Sequence, residues 1–256
     1  MDALLRDLRT APAPALMAVS GAGFISLAIS PPATPSLSLC GSLSSVTLAD
    51  LSPLVLDGHT LGILGVAWLA MVLAMVLAMM PLLALRQVRH AMRSSVARRR
   101  LLAAGLLLAG YALVWMAAGL VMVPLAALLH AAAHPALILA CIAVAVLWSS
   151  SPAGTRAHNA CHRLYPVAAS GPTANRDSLQ HGLRTGVACA TACWPWMLAP
   201  FAFPAAWHLP AMAVAAVLLF VERTGPSLRP AWRLPYVLRR LLHGKPRTSL
   251  GRATRH

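Results

Sequence analysis

The stretch Leu61–Leu85, LGILGVAWLAMVLAMVLAMMPLLAL, runs for 25 residues without a charge. Because a helix rises ~1.5 Å per residue, roughly 20 apolar residues cross the ~30 Å hydrocarbon core of a bilayer. This run therefore reads as a transmembrane helix. The pattern recurs. Leu101–Leu129 holds 29 uncharged residues, and an Ala/Leu/Val-rich stretch extends from about His134 to Ser151. Thr185 to Val221 holds 37, too many for one span, and the cluster Pro204, Trp207, His208, Pro210 divides it into a hairpin. A weaker segment, Ala13–Ser30, contains Gly21 and Gly23 and ends at Pro31-Pro32. It reads as a retained helix; a cleaved signal peptide is the alternative, since Arg6 and Arg9 precede it.

The expected fold is all-α: a polytopic membrane helix bundle of about six transmembrane helices. Residues 1–60 form an N-terminal segment with the weak first span and an exoplasmic loop. Residues 61–222 form the bundle, with spans at about 61–85, 101–129, 134–151, 185–203 and 208–222. Residues 223–256 form a basic cytoplasmic tail.

Composition agrees. Of 256 residues, 59% are apolar and 11% charged, against roughly 25% charged in a soluble domain. Such hydrophobicity also excludes a disordered chain, and five scattered cysteines do not make a disulfide scaffold. The 21 Lys+Arg against 6 Asp+Glu give a net charge of +15, which would suit nucleic acid if it lay on one folded face. It does not. Arg6 and Arg9 precede the first span, six arginines (Arg86 to Arg100) follow the second, four (Arg156 to Arg184) follow the fourth, and nine basic residues from Arg223 to Arg255 follow the last. All of them fall on one side, while the opposite side carries only Asp50 and Asp57. The positive-inside rule then places both termini in the cytoplasm, as in a multi-pass protein of a bacterial inner membrane. The lipid bilayer is the expected partner and nucleic acid is not. The Arg86–Arg100 loop and the tail could also attract anionic lipid, at ~1 kcal/mol per basic residue, although a purely topogenic role is the preferred reading.

Little catalytic chemistry is available. There is no Walker loop, no Gly-x-Ser-x-Gly and no His-Glu-x-x-His. The six acids form no pair and none lies at a span midpoint, so neither an enzyme nor proton-coupled transport is expected. Sulfur and imidazole remain. Met71, Met75 and Met79 recur every four residues, with Met80 and Pro81 following, and Cys189, Cys193 and Met197 repeat that spacing. Each set forms a slanted stripe on its helix. Cys189 and Cys193 would stand ~5–6 Å apart, beyond the ~3.5–4.5 Å Cβ separation of a disulfide, and Pro195 should kink the helix beside them. Topology puts Met79, Met80 and Cys189 in the cytoplasmic leaflet. Brought together, they would make a thiolate/thioether site of the kind that selects Cu(I), with zinc also accepted by the thiolates. The alternative is that these side chains only fill the core.

The loop before the fifth span holds His158, Cys161, His162 and His181. His158 and His162 are four apart and flank Cys161, a spacing that suits metal capture on a helix; a solvated polar loop is the alternative. His59, His130, His134 and His208 fall at span ends on the outer side, where they read as headgroup-facing, with a second, exoplasmic metal stop as the alternative; Cys40 has no obvious partner.

The order of several motifs resembles a known family. The elements are Trp68…Met71…Ala78-Met79-Met80-Pro81; Ala109-Gly110-Tyr111…Val114-Trp115; Leu147-Trp148 through Ser151-Pro152; and Cys161-His162-Arg163. They continue with Asp177…His181-Gly182-Leu183-Arg184…Gly186…Cys189…Cys193-Trp194…Met197-Leu198, then Glu222-Arg223…Gly225-Pro226. Over roughly 60–226 the chain is similar to the predicted metal-binding integral membrane proteins, whose members include copper chaperones for copper oxidases such as tyrosinases. It departs from them in two places. Gly154, Thr155 and Ala157 stand where members often carry a cysteine and a lysine, and Ala192-Cys193 stands where some have adjacent cysteines.

The resemblance implies a Cu(I) metallochaperone supplying a copper enzyme. Cys161 and His162 would capture copper, with His158 and His181 beside them. Cys189, Cys193, Met79 and Met80 would hold it, and Met75 and Met71 would lead it outward. The competing expectations are a metal-free multi-pass scaffold, whose methionines serve packing, and a solute permease, for which the spans offer almost no polar lining.

Overall fold

A computed structural model of the chain describes residues 12–29, 72–131, 134–227 and 229–243. Met71, Cys40, His59, Arg6, Arg9 and the tail beyond His243 lie outside the described residues. Those described form helices and connecting turns, with no strand. The helices are α1 (Ala13–Ile29), α2 (Val72–Met79), α3 (Leu85–Ser94), α4 (Arg100–Ala131), α5 (Pro135–Ser150), α6 (Pro152–Cys161), α7 (Pro172–Leu198), α8 (Ala205–Thr224) and α9 (Tyr236–His243).

Among the described residues, two stretches are long and apolar enough to cross a membrane: Ala97–Met122 and Ala206–Thr224. The number rises to four if each bent helix pair is one span. Among the described residues the candidate spans are shortened or bent for identifiable reasons. Pro81 has no N–H to continue the ladder, so α2 stops at Met79 and the chain turns by 52° through the short helix Leu82–Ala84 into α3. Ser151 ends α5 and caps α6, its Oγ accepting from Gly154 N at 2.9 Å, and Pro152 occupies the first position of α6. The chain bends there by 71°. The first half of α7 carries Arg176, Asp177 and Arg184, so its apolar part is only Thr185–Leu198. The 17-residue α1 is also short of a full span.

Helices α4 and α7 form the largest contact in the bundle. Their backbones touch through glycine. A Cβ on Gly182 would lie 2.0 Å from Leu107 O, one on Gly110 would lie 2.5 Å from Leu179 O, and one on Gly186 would lie 2.9 Å from Val114 Cβ. Gly182 and Gly186 are four apart, the small-xxx-small pattern that lets two helices approach closely. Helix α5 also docks on α7. Pro195 leaves the Thr191 carbonyl without its helical donor, and Trp148 Nε1 donates to it at 3.1 Å. Trp196 Nε1 in turn donates to Ser149 Oγ at 2.8 Å. Helix α7 continues through Pro195 to Leu198. The main core lies among α2, α4, α7 and α8. It is rich in sulfur: Met79, Met80, Cys161, Cys189, Cys193, Met197 and Met212 are all buried in it.

Candidate metal centre

The close α4–α7 approach decides what faces what. Tyr111 follows Gly110, and Cys189 lies one turn beyond Gly186, so the glycine contact brings the phenol against the thiol. Tyr111 Oη is 3.0 Å from Cys189 Sγ and 3.3 Å from Met80 Sδ. The two sulfurs flanking that oxygen are therefore at most 6.3 Å apart. Cys193 Sγ stands 3.7 Å from Cys189 Sγ, and both are free thiols. All are sequestered: Cys189 is 0%, Met80 1% and Tyr111 2% exposed. Two sulfurs each ~2.3 Å from one ion at trigonal angles are separated by ~4 Å. The observed pair is already close to that.

A cavity of about 80 Å³ opens beside the thiols. Cys189 and Cys193 line one wall, with His158 and Thr155 on α6 and Glu222 and Arg223 at the end of α8. The C-terminal segment closes it, contributing Leu234, Val237 and Leu238. The Glu222 carboxylate accepts from Tyr236 N and Val237 N, both at 2.9 Å, capping α9, and Arg233 N donates to Ser150 O at 3.0 Å.

His158 connects this cavity to a second imidazole. Its Nε2 lies 3.0 Å from His162 Nε2, and Arg86 Nη1 lies 3.2 Å from His162 Nδ1. A guanidinium can only donate, so His162 Nδ1 accepts, its Nε2 carries the proton, and His158 Nε2 receives it. Both rings are thus neutral and share one proton between the nitrogens that a metal would take. Burial holds His158 down to about 3, with His162 and Arg223 adding to the effect. Burial and then Arg86 lower His162.

The sequence model of a family described as PpoB2, copper chaperone, matches residues 65–239. The chain belongs to this copper-chaperone family. No curated protein and no solved structure matches it.

The family match covers every sulfur and imidazole of the candidate centre, and the fold sorts them. Met80 and Cys189 flank Tyr111, with Cys193 beside Cys189; Met80 is the residue after the stripe Met71, Met75, Met79 and not part of it. Met79 is buried in the same core, while Met75 faces a separate apolar cavity of about 30 Å³ with Met122 and Met197. His158 and His162 meet on α6. Cys161 turns away from them into the sulfur-rich core at 1% exposure. His181 joins neither set: its ring packs edge-on against His90 at 5.6 Å and Tyr165 at 5.5 Å. Burial, and then His90, push it down to about 4. Pro135 keeps His134 extended (φ −137°, ψ 142°), and its Nδ1 caps α5 by accepting from Ala136 N. His208 Nδ1 donates to Pro200 O at 3.1 Å. Among the described residues no three His, Cys, Asp or Glu side chains gather as a metal site; the further soft donor beside the two thiols is the thioether of Met80. Tyr111 and His90 are the participants that residue spacing did not single out. Tyr111 carries the only hydroxyl in the uncharged run 101–129, and a lone hydroxyl in such a run needs a partner.

Proposed function

We propose that this protein is an integral membrane copper chaperone that holds one Cu(I) between Cys189, Cys193 and Met80 and passes it to a copper enzyme. The observation that carries this reading is the contact of one buried phenol oxygen with both Met80 Sδ and Cys189 Sγ, with Cys193 Sγ alongside. Two thiolates and a thioether are soft donors that favour Cu(I) over hard cations. Two thiolates and one Cu(I) leave one net negative charge, and the Arg223 guanidinium lining the same cavity supplies the compensating cation.

The distribution of basic residues supports a multi-pass inner-membrane protein with both termini in the cytoplasm. Helix α6 and the first half of α7 then lie on the cytoplasmic side, and His158 with His162 forms the entrance. Copper reaching His158 travels down the cavity to the thiols, exchanging harder nitrogen for softer sulfur donors. Met75, Met122 and Met197 around the second cavity offer thioethers for onward transfer.

The test uses the full chain, purified without oxygen and titrated with Cu(I) against a chromophoric chelator. Cys189→Ser with Cys193→Ser should weaken binding at least a hundredfold while leaving helical content unchanged. Wild-type affinity in that double variant would refute the assignment.

A further inference from the structure

His181 is the outlying member of the imidazole set, and its surroundings are unusual. It is 1% exposed, yet neither Nδ1 nor Nε2 has a hydrogen-bond partner. A buried polar group without a partner costs ~1–3 kcal/mol, and nearly all such groups in folded proteins are satisfied. The nitrogen that carries the lone pair is open to a ligand. The adjacent ring is prepared for one. His90 Nε2 lies 2.9 Å from Tyr165 O; a carbonyl only accepts, so the proton sits on Nε2 and the lone pair stays on Nδ1. That is how proteins orient a metal-binding histidine, by tying its other nitrogen to a carbonyl.

We infer that His90 and His181 form a second Cu(I) site, at the cytoplasmic end of α7. Two imidazoles bonded linearly to one ion, each through a nitrogen ~2.0 Å away, place their ring centres roughly 6 Å apart; the His90 and His181 centres are 5.6 Å apart. Among the described residues no third His, Cys, Asp or Glu completes the group. Zinc takes four ligands in structural sites and three plus water in catalytic ones. Monovalent copper is content with two neutral nitrogens. Asp177, one turn before His181, is already engaged, accepting from Ala168 N at 3.1 Å. His181 lies eight residues before Cys189, ~12 Å along the helix at 1.5 Å per residue. The pair is therefore a separate holding station, with nitrogen donors only, on the side from which copper enters. This inference rests on the copper-handling reading above and adds a second site to it.

The experiment uses the full chain carrying Cys189→Ser, Cys193→Ser, His158→Asn and His162→Asn, titrated with Cu(I) anaerobically and examined by X-ray absorption. The expected result is one bound equivalent with two nitrogen ligands and no sulfur, reduced more than tenfold in affinity by adding His181→Gln. No bound copper in the folded four-residue variant, or no effect of His181→Gln, overturns the inference. A wild-type measurement stands beside it in case the variants do not fold. Cu(I) should protect His90 from diethyl pyrocarbonate, read by mass spectrometry, and an unprotected His90 overturns the site. The two readings fail separately: absence of sulfur-bound copper in the wild type refutes the Cys189/Cys193 centre, whereas His90 protection is unaffected by that outcome.

Discussion

Gly182→Ala is the most informative single change, because it adds one methyl group at the contact that assembles the sulfur centre. The new Cβ would lie 2.0 Å from Leu107 O, 2.9 Å from its C and 3.0 Å from its Cα. All three are backbone atoms, so no side chain can swing aside. Relief to an ordinary contact of about 3.4 Å requires α4 and α7 to separate by about 1.4 Å at this point. Tyr111 lies one turn from Leu107 on α4. The same displacement would stretch its 3.0 Å contact with Cys189 Sγ beyond hydrogen-bonding reach. Overpacking of this kind costs ~1–3 kcal/mol, and loss of the hydrogen bond adds ~1 kcal/mol. Replacing a helical glycine by alanine returns at most ~1 kcal/mol of helix propensity. A net loss of ~1.4 kcal/mol at the centre corresponds to tenfold weaker Cu(I) binding. The assay is anaerobic Cu(I) competition on detergent-purified protein, with thermal unfolding measured in parallel. Gly105→Ala is the control: it lies on the same α4, and an added Cβ there meets nothing within 4 Å. The expected pattern is a lower melting temperature and at least tenfold weaker copper binding for Gly182→Ala, with neither for Gly105→Ala. Wild-type affinity and melting temperature in Gly182→Ala would refute the argument that glycine contact sets the site.

Two further outcomes follow from the cavity and its imidazoles. Glu222→Gln removes the charge that caps α9 through Tyr236 N and Val237 N; losing such a cap costs ~0.5–2 kcal/mol. Hydrogen exchange in Tyr236–His243 should quicken several-fold and the cavity thiols should alkylate faster, and unchanged rates would show that Glu222 does not hold the segment down. The histidines also set a pH dependence. His158 is held at about 3 and His181 at about 4, whereas unfolded histidine titrates near ~6.5. The unfolded chain therefore binds protons first. Stability is full above pH ~6.5 and falls as the pH drops below it, by up to ~1.4 kcal/mol per pH unit for each histidine. Melting temperature should decline from pH 7 to pH 4.5, less steeply in His181→Gln; a flat profile would refute the neutral, buried assignment.

Much of the helical architecture was legible because apolar length and punctuation are local properties. The run 101–129 anticipates α4, and Pro204 marks the break before α8. Among the described residues the expected spans are bent where local rules compete. Pro81 interrupts an otherwise uniform apolar run, and Ser151-Pro152 caps a new helix where hydropathy alone reads a span ending in a loop. The i, i+4 sulfur stripes lie on two helices that share one buried core. Met75 and Met80 are five residues apart, ~140° around the helix, so they face different ways. Spacing alone could not say that the Met80 face meets Tyr111 while Met75 faces another cavity. Cys161 and His162 are adjacent in sequence, but one turns into the core and the other to His158.

By itself, then, the sequence determined an all-helical, strongly apolar chain with one-sided basic charge and soft donors at helical spacing. Each of these follows from residue type and short-range periodicity. Only the tertiary structure decided which donors meet. Tyr111 and Cys189 are 78 positions apart, and their contact depends on Gly110, Gly182 and Gly186 letting two backbones touch. His90 and His181, 91 positions apart, are likewise brought together only by the fold, with ring centres 5.6 Å apart. Spacing along one helix fixes a face, but the partner of that face is chosen by close packing between helices, where one missing Cβ shifts a contact by more than an ångström.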